Sequence, residues 1–187
     1  MVKVRPPIAL DASSMAQLLN EIITIGGTTA MTRPVTGKDL TEWMATNADQ
    51  SAWHVALDDQ ENVVGFQWIS PHPNLPPEAC DIASFVQVGR TGLGVGSALF
   101  NATAQAAERL GYVWINATIR ADNDGGLTYY QSRGFRDCLG SGRGQDQQTV
   151  RRLAPYCGDR FARMRCKVRR CMFSRRAVSD TFLSQSS

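Results

Sequence analysis

Apolar positions change their period several times along this chain, and each change marks an element. Met15, Leu18, Leu19, Ile22 and Ile23 recur at helical spacing, Asp11 or Ser13 stands ready to cap that helix, and Gly26-Gly27 ends it. Before it, Val2 and Val4 flank Lys3 in a short strand that Pro6-Pro7 closes. The stretch GGTTAMTRP has no period and reads as a connector. Thr36 or Lys38-Asp39 then opens a second helix carrying Leu40, Trp43 and Met44. Strands follow over Trp53 to Leu57 and Val63 to Ile69, joined by the polar turn Asp58 to Asn62. Four prolines between Ser70 and Pro77 make an irregular loop. Asp81 to Val88 is a further strand. Val95, Ala98, Leu99, Ala102, Ala106 and Leu110 form the apolar face of the main helix, which Gly111 caps. Tyr112 to Ile119 reads as a buried strand, and a short helix over Leu127, Tyr129 and Tyr130 leads to Gly134-Phe135. The order implies an α/β or α+β mixed sheet, with the two strands on either side of the main helix parallel.

Chemistry concentrates where the strand over Phe85, Val86 and Val88 meets the main helix through Gly89, Gly92, Gly94 and Gly96. A helix start exposes N–H groups that no helical carbonyl can accept, at the positive end of the helix dipole. Glycines there let the main chain approach an anion such as a phosphate or pyrophosphate. Two familiar phosphate loops do not fit. No Lys follows any of these glycines, as a P-loop requires. A dinucleotide fingerprint counted from Gly92 would put Ser97 at its third glycine, with no acidic strand end downstream. A plain strand-to-helix turn is the competing reading.

The spacing Gly92-x-Gly94-x-Gly96-Ser97 resembles the acyl-CoA loop of the GNAT acetyltransferases, with Thr91 where Gln or Arg is usual and Arg90 one position early. A second stretch, Asn123-Asp-Gly-Gly126-Leu-Thr-Tyr-Tyr130-Gln-Ser-Arg-Gly134-Phe135, resembles the same family's Asn-x-x-Ala-x-x-x-Tyr-x-x-x-Gly-Phe, with Gly126 in place of Ala. Both lie in the family's order, one helix and one strand apart. The ADN-x-x-x-L-x-YY run is most similar to the phosphinothricin and amino-acid N-acetyltransferase branch. The resemblance covers roughly residues 2–137. It implies the GNAT fold, a central mixed, mostly antiparallel sheet flanked by helices, and acetyl-CoA as co-substrate with a small primary amine as acceptor. It implies that the strand bearing Phe85, Val86 and Val88 binds the pantetheine arm through its backbone. The loop Arg90, Thr91, Gly92, Leu93, Gly94, Val95, Gly96 and Ser97 would hold the pyrophosphate, chiefly by the amides of Leu93 to Ser97, and Asn123 would bind the cofactor arm. Tyr130 would protonate the departing sulfur, since a phenol near pKa 10 suits a thiolate near 8.5. Asp81, Glu78, His54 and His72 are the candidates for a general base. Tyr129, Trp53, Trp68 and Trp114 read as packing residues, and Asn123 can equally cap the helix it precedes.

Composition adds one complication. Apolar content of 43% and charged content of 20% are globular values. No run reaches the ~18 apolar residues of a membrane helix, and the N-terminus lacks an apolar signal core, so a cytoplasmic location is expected. Five cysteines, without paired spacing or a Cys/His cluster, indicate neither a disulfide frame nor a metal site. But residues 1–137 carry 9 Lys and Arg against 14 Asp and Glu, whereas residues 138–187 carry 11 against 3 and four of the cysteines. We therefore divide the chain into an acetyltransferase core, 1–137, and an atypical basic tail, 138–187. In the tail only Met164 to Val168 alternates like a strand. A shift of coding frame near Cys138 would account for the break, and its Ser and Cys clusters favour that over a basic arm for nucleic acid. Either way the sheet edge near residue 135 is expected to lie open and to favour a homodimer. A non-catalytic module that binds acyl-CoA, or nucleic acid through the tail, is the alternative to an enzyme.

Overall fold

The computed structural model describes residues 2–120, 122–137, 142–143 and 149–155. In chain order the elements are β1 (Lys3–Arg5), α1 (Asp11–Ile25), α2 (Gly37–Ala45), β2 (Ala52–Leu57), β3 (Val63–Ser70) and β4 (Ala79–Val86). Then come α3 (Val95–Arg109), β5 (Trp114–Arg120), α4 (Asp124–Ser132), β6 (Phe135–Asp137), β7 (Gly142–Arg143) and β8 (Thr149–Pro155). The sheet runs β1-β2-β3-β4-β5-β8-β6, with β7 also pairing β8. Every pairing is antiparallel except β4 with β5. That is the mixed, mostly antiparallel sheet expected, and the crossover through α3 makes the single parallel pair.

Strand alternation divides the core between the two faces. On one face Trp53, Val55, Phe66, Trp68 and Phe85 pack against Met15, Leu19 and Ile22 of α1 and Leu40 of α2. Trp53 stacks on Trp68 with ring centroids 4.4 Å apart, so both are core residues as read from the sequence. On the other face α3 seats Val95 and Leu99 against Ala56 and Val64. Ile69, Cys80, Ile82, Ile115 and Ala117 meet Leu127 and Tyr130 of α4 there. Trp114 is only half-buried.

Helix ends follow the expected chemistry in part. Thr36 and Asp39 form a reciprocal capping box at α2. Asp11, by contrast, caps nothing: it lies inside α1, behind Leu10. Its carboxylate accepts two bonds from the Arg5 guanidinium, at 2.6 and 3.0 Å, and one from the Ile8 amide at 2.7 Å. A forked cation outcompetes a helix amide for that carboxylate.

The sheet does not stop at Asp137. β8 enters between β5 and β6, in register Ala117↔Leu153 and Asp137↔Leu153 on its two sides. In TVRRLAP the apolar positions do not alternate, which is why the sequence pattern hides this strand. The expected strand over Met164 to Val168 lies outside the described residues.

The Arg5 bonds hold the Asp11 carboxyl below the usual carboxylate range in the fold, against about 3.9 when unfolded. Its stabilisation is therefore complete at neutral pH and is lost as pH falls through about 4 towards the depressed folded value. Asp11→Asn should cost about 2 kcal/mol at pH 7. In urea titrations repeated from pH 7 to pH 3, the gap from wild type should narrow with acid.

Candidate functional site

A cleft opens where two neighbouring strands part. β4 and β5 are in register only from Ala79↔Trp114 to Asp81↔Asn116. Beyond that point β4 continues along β3 to Val86 while β5 pairs β8 on its other side. At the floor of the cleft Asn116 donates from Nδ2 to Asp81 Oδ1 at 2.5 Å and to Thr118 Oγ1 at 3.0 Å. Among the described residues the upper half of β4 thus keeps one partner strand, with its other edge towards the cleft.

The glycine loop carries the chain from β4 to α3. Gly94, at φ +82°, is the N-cap, a conformation that glycine alone adopts without strain. It brings no side-chain oxygen, and among the described residues no side chain caps the first turn. The first helical bond of this turn runs from the Ala98 amide to the Gly94 carbonyl, 3.0 Å. The amides of Val95, Gly96 and Ser97 precede it and form the anion-ready end of α3.

Side chains of this segment divide into those that face solvent and those that face the core. Val88 and Leu93 are exposed. Phe85 stacks on Phe66 and Trp68, and Val95 is buried between α3 and the sheet, so both side chains are taken up by the core and their main chain is what faces a ligand. Arg90 reaches Asp58 in the β2–β3 turn, Nη2 to Oδ2 at 3.3 Å, and so braces the loop. Asn123 accepts from the Gly126 amide at 2.8 Å and donates to the Thr28 carbonyl at 3.0 Å. It caps α4 and ties the α1–α2 connector to it, and among the described residues one lone pair and one N–H are left over.

Tyr130 reaches the site from α4. It is 6% exposed, edge-on to Tyr129 and Phe135, and its hydroxyl lies 2.7 Å from Ser84 Oγ on the upper half of β4. Burial pushes its phenol far above the ordinary tyrosine range, with the Ser84 hydrogen bond opposing, so it is a neutral acid at any physiological pH. Tyr129 does more than pack. Its hydroxyl donates to the Gly96 carbonyl at 2.7 Å and accepts from Gln67 Nε2 at 3.3 Å, clamping α4 onto the first turn of α3. A side chain on residue 96 would put its Cβ 2.7 Å from Tyr129 Cε2, so this clamp requires glycine.

The candidate bases separate clearly. His54 is buried under α3, 3.1 Å from Thr103 Oγ1, and burial, then the Arg109 charge, lower its pKa, so it is a neutral core residue. His72 and Glu78 lie in the loop before β4, where His72 Nδ1 accepts from the Asn74 amide. Asp81 alone stands at the cleft floor. Residues 81, 83 and 85 alternate onto the α1–α2 face, opposite Ser84 and Tyr130. Ser84, Gln67 and Tyr129 were not read from the sequence. A glutamine inside the apolar run VVGFQWIS was the one available signal.

Gly96→Ala should cost about 1–3 kcal/mol through this overlap. Tyr129→Phe, which loses only the hydroxyl, should cost about 1 kcal/mol. Guanidinium titrations of both variants check the difference.

Comparisons with known proteins bear on the fold and the family. The model of the Acetyltransferase (GNAT) family matches residues 15–135. YwnH of Bacillus subtilis (strain 168), whose name assigns it provisionally to the phosphinothricin acetyltransferases, is 27% identical over 130 residues, 68% of this chain and 79% of its own length. Among solved structures, a phosphinothricin acetyltransferase from Sinorhizobium meliloti in complex with AcCoA superimposes with a TM-score of 0.71 at 18% identity, over 82% of this chain and 86% of that one. A GCN5-related N-acetyltransferase from Kribbella flavida gives 0.69 at 23% identity, over 82% and 96%. At such identities the structures speak for the fold, and the family match covers most of the chain: this protein belongs to the GNAT acetyltransferase family.

Proposed function

We propose that the chain transfers the acetyl group of acetyl-CoA to the primary amine of a small molecule, an amino acid or an analogue of the phosphinothricin kind, by direct transfer in a ternary complex. What supports this is the α3 start, which has no side-chain cap among the described residues, beside the upper part of β4, which has parted from β5 and whose Ser84 bonds the Tyr130 hydroxyl. When bound, acetyl-CoA supplies an activated thioester. The amides of Leu93 to Ser97 fit its diphosphate, because a dianion there replaces the missing cap and meets the positive end of the helix. The β4 main chain around Phe85 and Val86 fits the amide-bearing arm as a strand-like partner. The leftover N–H of Asn123 lies in the segment that resembles the family's arm-binding motif.

Transfer needs two proton movements, one off the attacking amine and one onto the departing sulfur. As the carbon–sulfur bond breaks, Tyr130 gives its phenolic proton to the sulfur. The attacking amine loses a proton, which we assign to Asp81 through water, since that carboxylate stands on the other face of the sheet at the cleft floor. Asn116 fixes the carboxylate's orientation. No covalent enzyme intermediate is involved.

A thiol-release assay over a panel of amines and amino acids tests this reading. Wild type should release coenzyme A with at least one primary amine. Tyr130→Phe should lower kcat by about 10²–10⁴-fold, while acetyl-CoA affinity, measured by calorimetry, stays unchanged. Binding without thiol release from any amine would instead make the protein an acyl-CoA-binding module.

A further inference from the structure

Five polar groups form one continuous chain from the α3 first turn to the catalytic phenol. They are the Gly96 carbonyl, Tyr129 Oη, Gln67 Nε2, Ser84 Oγ and Tyr130 Oη, linked at 2.7, 3.3, 2.5 and 2.7 Å. Gln67 is fully buried, in a strand otherwise apolar on that face. A buried amide in that position has a role to explain, the more so because its Oε1 finds no partner among the described residues.

Donor counting directs the bonds as far as Ser84, and the Ser84–Tyr130 contact admits either hydroxyl as donor. The Tyr129 hydroxyl has one proton, and the Gly96 carbonyl can only accept it. Tyr129 must therefore accept at its other contact, so the nitrogen end of Gln67 faces it. The same NH₂ donates its second proton to Ser84 Oγ. Ser84 then keeps its own proton free, and the next acceptor in reach is Tyr130 Oη.

We infer that Ser84, oriented by Gln67, is a positioning residue that donates its hydroxyl proton to Tyr130, leaving the Tyr130 proton directed into the cleft for the leaving sulfur. The opposite direction would spend the Tyr130 proton on Ser84 and disarm the acid. After transfer, the same donation stabilises the phenolate, in a site where burial otherwise opposes it. Ser84 lies on the part of β4 that has left β5, so this support reaches Tyr130 from the cleft wall itself.

This inference rests on the acetyl-transfer reading, and one set of variants separates the two. Wild type, Ser84→Ala, Ser84→Thr and Tyr130→Phe are compared by thiol release and by ¹³Cζ tyrosine NMR without acetyl-CoA. The Tyr130 resonance, identified by its loss in Tyr130→Phe, should move in Ser84→Ala and return in Ser84→Thr. Ser84→Ala should lower kcat about tenfold, the size of one hydrogen bond, with KM for acetyl-CoA within about twofold. Its solvent deuterium isotope effect on kcat should rise, and Ser84→Thr should restore both. An unmoved resonance, or undiminished kcat in Ser84→Ala beside an inactive Tyr130→Phe, overturns the role of Ser84 and leaves acetyl transfer standing. Wild type inert towards every amine overturns the transfer reading, and this proposal with it.

Discussion

Among the described residues, three main-chain N–H groups at the start of α3 have no capping side chain, and the surrounding structure holds that turn in place. Gly94 in the left-handed conformation turns the chain into the helix without supplying an oxygen. The missing Cβ of Gly96 lets Tyr129 press against the same turn and donate to its carbonyl, holding the turn in place. Arg90 fastens the loop to the β2–β3 turn through Asp58. Each of these contacts stiffens the turn from the side or from below. An anion then meets donors already in position, so little ordering entropy is lost on binding.

The parting of β4 from β5 supplies the rest. A parallel pair that stays in register over three residues and then diverges leaves main-chain groups of β4 facing a cleft. The two faces of β4 then do different work. Its Ser84 side meets α4 and Tyr130, where a phenol kept neutral by burial can give up a proton. Its Asp81 side meets the α1–α2 face, where Asn116 holds the carboxylate that the proposed mechanism uses as base. Asn123 adds a connection between the halves, because the residue that caps α4 also holds the Thr28 carbonyl, 95 positions away in sequence.

Much of this was legible in the sequence, and the parts that were not share a cause. The α3 face from Val95 to Leu110, the glycine turn and the spacing from Asn123 to Phe135 are local patterns, and local patterns are what a sequence displays. Tyr130 follows from its spacing in the second motif. Gln67, Ser84 and Tyr129 gain their roles only when β3, β4 and α4 are packed together, at separations of 17 and 62 residues. Asp11 had the chemistry of a cap, and only the tertiary placement of Arg5 redirected it. β8 escaped notice because its apolar positions do not alternate, while its place between β5 and β6 is set by backbone pairing.

Amide NMR of ¹⁵N-labelled protein during titration with coenzyme A tests the central claim most directly. The resonances of Val95, Gly96 and Ser97 should shift together and saturate with the binding isotherm, while those at the far end of α3, around Arg109, stay in place. Saturable binding that leaves those three amides unmoved would contradict the account.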